Sequence, residues 1–63
     1  MWLARDKCGE LCLYLDKPDK DDTCWINFDA DFVSLGFTYA FPEVKWEDFE
    51  PTEVEITIKR RQP

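Results

Sequence analysis

Histidine is missing altogether from the 63 residues, which removes the side chain most used for general acid–base work and the commonest nitrogen ligand for zinc. No apolar run approaches the ~18 to 20 residues of a membrane span. The opening Met1-Trp2-Leu3-Ala4-Arg5 lacks the pattern of a signal peptide, so a cytosolic setting is the expectation. Basic residues are scarce in the body of the chain. Between Asp6 and Glu55 only Lys7, Lys17, Lys20 and Lys45 face all fourteen acids, a local charge of −10 within an overall −6. A field of that sign repels nucleic acid and attracts basic protein. The other bases are Arg5 and the cluster Lys59, Arg60, Arg61, too short and too outweighed for a nucleic-acid site and read as a solvated strand end.

A chain this short makes one domain, 1–63, near the lower limit at which a core suffices unaided. It has no room for a deep cleft plus a cofactor. Three Trp, two Tyr and five Phe argue for a folded body and against a disordered acidic tail. Without His, and without a Ser or Cys beside a base, paired carboxylates alone do not make an active site. The chain is read as a non-enzyme.

What is present in quantity is period-2 alternation. Leu11, Leu13 and Leu15 alternate with Cys12 and Tyr14; Cys24, Ile26 and Phe28 with Trp25 and Asn27; Val54, Ile56 and Ile58 with Glu53, Glu55, Thr57 and Lys59. Each reads as a strand with one buried face. Asp6-Lys7-Cys8-Gly9 has the chemistry of a type I turn with Gly9 in the left-handed position, a hairpin loop with a bulge. Facing Asp6 with Glu10 pairs Arg5 with Leu11, Ala4 with Cys12, Leu3 with Leu13 and Trp2 with Tyr14. Leu3, Leu11, Leu13 and Leu15 then form the core face, with Arg5 at its rim. Trp2, Ala4, Cys12 and Tyr14 share the other face with Asp6 and Glu10.

Residues 16–23 read as a polar loop, Asp29-Ala30-Asp31 as a turn, and Phe32 to Leu35 as a weak strand broken by Gly36. Pro42 to Pro51 suggests one helical turn. The expected fold is mainly β, a single antiparallel sheet of about four strands with an N-terminal hairpin and one short helical turn near Pro42; a small α+β fold is the alternative.

Cys8, Cys12 and Cys24 are the one constellation with coordination chemistry. Three cysteines cannot pair completely within one chain, and a reducing cytosol disfavours disulfides, leaving free thiols or a metal site. Thiolates bind zinc, which would add folding free energy to a marginal core. A fourth ligand must be a carboxylate or water: Asp22, which points the same way as Cys24 if the chain is extended there, or Asp6, which at a turn's first position more often caps the backbone. The competing reading makes Cys12 and Cys24 small buried hydrophobes and Cys8 incidental. The aspartates from Asp16 to Asp22 lack the ligand order of an EF-hand loop and read as solvated charge.

The stretch Glu43-Val44-Lys45-Trp46-Glu47-Asp48-Phe49-Glu50 interleaves acids with two aromatics. A basic partner groove with an apolar floor would take Trp46 and Phe49 as anchors and Asp29, Asp31, Glu43, Glu47, Asp48 and Glu50 as salt-bridge partners. The competing reading folds Trp46 and Phe49 back onto the core.

The opening Trp2-Leu-Ala-Arg-Asp-Lys-x-Gly-x-Leu-x-Leu-Tyr-Leu-x-Lys-Pro18 and the closing Phe41-Pro-Glu-Val-Lys-Trp-Glu-Asp-Phe-Glu-Pro-Thr-Glu-Val-Glu-Ile56 resemble a group of small uncharacterised proteins encoded by phages and prophages of Gram-positive bacteria. The resemblance covers about half the chain and stops short of Cys24 and the loop before it, so any metal site stands outside it. It implies a phage accessory protein made in the cytoplasm of the infected bacterial host. In size and charge the chain looks like a type II (Cas9) anti-CRISPR protein, a DNA mimic that occupies the basic channels of a Cas9-type effector without itself binding nucleic acid. The alternative is a phage structural or assembly adaptor, a protein–protein interaction module docking through its Trp2 and Tyr14 face.

Overall fold

The computed structural model describes residues 1–57, and its centre is the hairpin specified by the alternation around Gly9. Strand β1 (Trp2–Arg5) pairs antiparallel with strand β2 (Leu11–Tyr14) in the expected register, Trp2 opposite Tyr14 and Arg5 opposite Leu11. The loop closes through Gly9 N–H to the Asp6 carbonyl at 2.9 Å and Asp6 N–H to the Glu10 carbonyl at 2.8 Å. Gly9 sits at φ +102°, a left-handed backbone that costs a residue bearing a Cβ about 1–2 kcal/mol.

Four further strands follow: β3 (Asp19–Lys20), β4 (Trp25–Ile26), β5 (Phe32–Gly36) and β6 (Thr52–Glu53). The main sheet is antiparallel throughout, in the order β5-β2-β1-β6, and β3 with β4 forms a separate two-stranded ribbon. No helix occurs among the described residues. The fold is mainly β, as the alternation implies.

Several local expectations are corrected. The polar loop at 16–23 contains one side of the ribbon, closed by Asp21 N–H to the Cys24 carbonyl at 2.7 Å, and Pro18 within it is fully buried. Of the alternating stretch from Cys24 to Phe28, β4 keeps only Trp25 and Ile26, and the buried residue is Trp25, whereas Phe28 is exposed. Indole carries the larger apolar surface, and its Nε1–H reaches the Arg5 carbonyl at 3.1 Å, so burial leaves no donor unpaired. The turn expected at Asp29-Ala30-Asp31 begins earlier, where Asn27 Oδ1 accepts from Asp29 N–H at 3.0 Å. The helical turn near Pro42 is two successive β-turns, closed by Val44 N–H to the Phe41 carbonyl at 3.0 Å and Asp48 N–H to the Lys45 carbonyl at 3.2 Å. Phe41 at φ 56° is incompatible with a right-handed helix. The strand expected at Val54–Ile58 is displaced to Thr52–Glu53; Val54 N–H still reaches the Met1 carbonyl at 2.8 Å, but Ile56 is exposed. Ile58 and the basic cluster from Lys59 lie outside the described residues.

Both faces of the hairpin are covered, not the leucine face alone. Leu3, Leu11 and Val44 form one buried cluster, flanked by Leu13 and Val54, while Leu15 is exposed. Ala4, Cys12, Tyr14 and Trp25 form the other, flanked by Trp2 and Trp46. Leu11 is completely buried, which stabilises the fold by about 1.5–3 kcal/mol.

Candidate functional site

Two of the cations, Arg5 and Lys20, are engaged by backbone carbonyls and aromatic rings, while most of the acids stand exposed. Arg5 Nε donates to the Val44 carbonyl at 2.9 Å, and its terminal nitrogens reach the carbonyls of Gly9 (3.0 Å), Thr38 (2.9 Å), Ala40 (2.9 Å) and Phe41 (3.4 Å). Lys20 Nζ lies 4.2 Å from the Trp46 ring centroid and 5.4 Å from that of Trp25, and donates to the carbonyls of Trp46 and Asp48. These charges meet backbone dipoles and π faces, so neither neutralises a carboxylate. The ion pair of the described residues is Lys17 with Glu50 at 2.8 Å, and Lys17 also stands 5.7 Å from the Trp2 ring. Glu50 raises the Lys17 pKa.

The segment from Glu43 to Glu50 is therefore strapped down by Arg5, Lys17 and Lys20, and its side chains divide between two roles. Trp46 is half-buried against the Tyr14 cluster. Asp48 Oδ2 accepts from Lys45 N–H at 3.0 Å and caps its own turn. Phe49, by contrast, is 95 % exposed, and Glu43, Glu47 and Glu50 are exposed around it in the sequence. Asp29 and Asp31 are also exposed. Of the anticipated anchors, Trp46 belongs to the packing and Phe49 remains free.

The anticipated ligands Cys8, Cys12, Cys24 and Asp22 lie in the hairpin turn, in β2 and in the turn before β4. Among the described residues, the ligand atoms lying within 4.8 Å of one another are those of Asp6, Glu10 and Cys12; Cys8, Cys24 and Asp22 are not in this group. The turn holds Cys8 exposed, while Cys12 is buried under the sheet and Cys24 half-buried beside the ribbon. Two members of the gathered trio already accept hydrogen bonds. Asp6 Oδ1 accepts from Trp25 N–H at 2.9 Å, and Glu10 Oε2 accepts from Ser34 Oγ–H. Burial, helped by the charges of Asp6 and Glu10, pushes the Cys12 thiol up to about 11. Asp6 is raised as well, chiefly by burial and further by Glu10, against the lowering effect of the Trp25 N–H. Through these two hydrogen bonds Asp6 and Glu10 tie the hairpin loop to Trp25 of β4 and Ser34 of β5.

Two features escaped the sequence reading. Arg5 is the clamp of the whole 38–44 stretch, which no local pattern announces. The other is a run of exposed apolar side chains, among them Phe32, Val33, Phe37 and Tyr39. Its signal was legible: no charged residue occurs from Phe32 to Pro42. Comparison with protein-family models, with curated proteins and with solved structures gives no significant match in any of the three.

Proposed function

We propose that this chain is a stoichiometric, non-enzymatic inhibitor that presents its carboxylates to a basic channel of a bacterial defence nuclease, a Cas9-type effector, and so blocks target DNA. The observation that carries the proposal is the division of charge: Arg5 and Lys20 are turned onto carbonyls and rings, whereas Asp29, Asp31, Glu43 and Glu47 are exposed. An acidic surface with so few compensating cations favours a basic partner. Phe49 adds an apolar anchor beside Glu47 and Glu50. The resemblance of the two ends of the chain to phage-encoded proteins supports an infected bacterial cytoplasm as the setting.

The adaptor reading fares differently. Its docking face of Trp2 and Tyr14 is occupied by Trp25 and Trp46, so an adaptor has to dock through the apolar strip around Phe37 and Tyr39 instead. Titrating guide-loaded Cas9 with the purified protein separates the two. The inhibitor reading expects stoichiometric loss of DNA binding and cleavage. That loss weakens several-fold as salt shortens the Debye length below about 8 Å, and weakens again in a Glu43→Gln, Glu47→Gln, Phe49→Ala variant. Full cleavage at large excess removes Cas9 as the target; binding indifferent to salt favours the adaptor.

A further inference from the structure

The outer edge of β5 is open among the described residues. It is the longest strand of the fold, pairs with β2 alone, and carries neither a charge nor a proline to keep other strands away. Edges of this kind recruit another strand. In a chain with 35 % charged residues, the neutral stretch from Phe32 to Pro42 is where two bodies of charge −6 can approach without opposing carboxylates.

The ladder fixes which backbone groups are free. Leu15 N–H donates to the Asp31 carbonyl at 3.1 Å, so Asp31 and, by alternation, Val33 turn their amide groups toward β2, and Phe32 and Ser34 turn theirs outward. We infer that β5 is a homodimerisation edge: two copies pair β5 with β5, antiparallel about a twofold axis through Val33, in one continuous sheet. In that register Phe32 exchanges ladder bonds with Ser34 of the second copy. The two Val33 side chains meet as a non-hydrogen-bonded pair, and Asp31 faces neutral Leu35.

The exposed area suits such an interface. Phe32 is 57 % exposed, Val33 59 %, Leu35 43 % and Phe37 70 %. With roughly 150–250 Å² per aromatic side chain, these four offer roughly 400 Å² per copy. Phe28 and Tyr39, flanking the strand in sequence and almost fully exposed, bring the strip toward roughly 800 Å², the share of one partner in a standard specific interface.

Sedimentation equilibrium over roughly 1–500 µM tests the dimer. The mass is expected to rise toward twice that of one chain, and more readily at high salt, because like charges are then screened. Val33→Lys is expected to hold the chain monomeric with an unchanged circular dichroism spectrum, since Val33 is exposed. In a Cys8→Ser background, Val33→Cys is expected to form one intermolecular disulfide under mild oxidation, because the Cα atoms of such a pair lie about 4.5 Å apart. A monomer throughout, association that survives Val33→Lys, or open-ended aggregates without a discrete dimer would each overturn the inference. Its salt dependence is opposite in sign to that of the proposed partner binding, so the failure of one is distinguishable from the failure of the other.

Discussion

A single guanidinium holds the longest irregular stretch of the molecule in place. Arg5 donates to carbonyls of Gly9, Thr38, Ala40, Phe41 and Val44, and Val44 is one of the three buried residues of its cluster. Arg5→Ala is expected to cost about 2–4 kcal/mol in urea denaturation, since it leaves partly buried carbonyls without donors. A domain of this size holds only about 3–5 kcal/mol in all, so the variant should sit near its threshold. Arg5→Lys should recover less than half, because an ammonium cannot reproduce the planar fork. Cys12 governs the alkaline limit. Its thiol titrates at about 11 when folded, against 9.0 for the free group, so the folded state retains a proton that the unfolded state has lost. Stability therefore falls as pH rises from 9 to 11, by on the order of 2–3 kcal/mol. Tyr14, also raised by burial, acts in the same direction above its ordinary value of 10. Cys12→Ala should flatten the unfolding free energy between pH 9 and 10, leaving the fall due to Tyr14.

At the level of elements, three different structures carry the cysteines: Cys8 the hairpin turn, Cys12 β2, and Cys24 the turn immediately before β4. Cys8 and Cys24 nonetheless line one surface hollow with Asp6, where Lys7 N–H donates to the Thr23 carbonyl at 3.2 Å. Elemental analysis of untagged protein decides the zinc proposal: about one zinc per chain, lost in Cys24→Ser, supports a site at the cysteines, and a content near zero removes it. The same elements show what sequence could and could not disclose. The β1–β2 register was legible because one glycine and an alternating run determine it locally. The paths of β3, β4 and the 41–50 segment were not. They depend on bonds made across the molecule, from Tyr14 Oη–H to the Trp25 carbonyl at 2.7 Å and from Lys20 to the carbonyls of Trp46 and Asp48. Alternation gave Trp25 and Ile26 opposite faces, and indole burial decided which face went inside. Of the site, the acidity was legible; which of Trp46 and Phe49 would pack and which stay exposed was not, because Lys20, the partner of Trp46, is remote in sequence.

For the molecule as a whole, charge and apolar surface occupy different stretches. The carboxylates from Glu43 to Glu50 lie on the strapped segment, and the neutral run from Phe32 to Pro42 lies along and beyond the open sheet edge. On the two proposals made above, one surface attracts unlike charge and the other serves contact between identical chains. If both operate, dimerisation doubles the acidic footprint offered to a basic partner, and the second carboxylate surface binds at a raised effective concentration. The pairing of β1 with β6 has a further consequence. Trp2 faces Glu53 and Leu3 faces Thr52, with Val54 N–H bonded to the Met1 carbonyl, so the beginning of the chain lies beside its fifty-fourth residue. In connectivity the described fold is nearly a ring. Its sheet order survives on paper if the chain is cut in the turn between β3 and β4 and joined across β1 and β6, which makes the β3–β4 turn the natural new origin for a circularly permuted version.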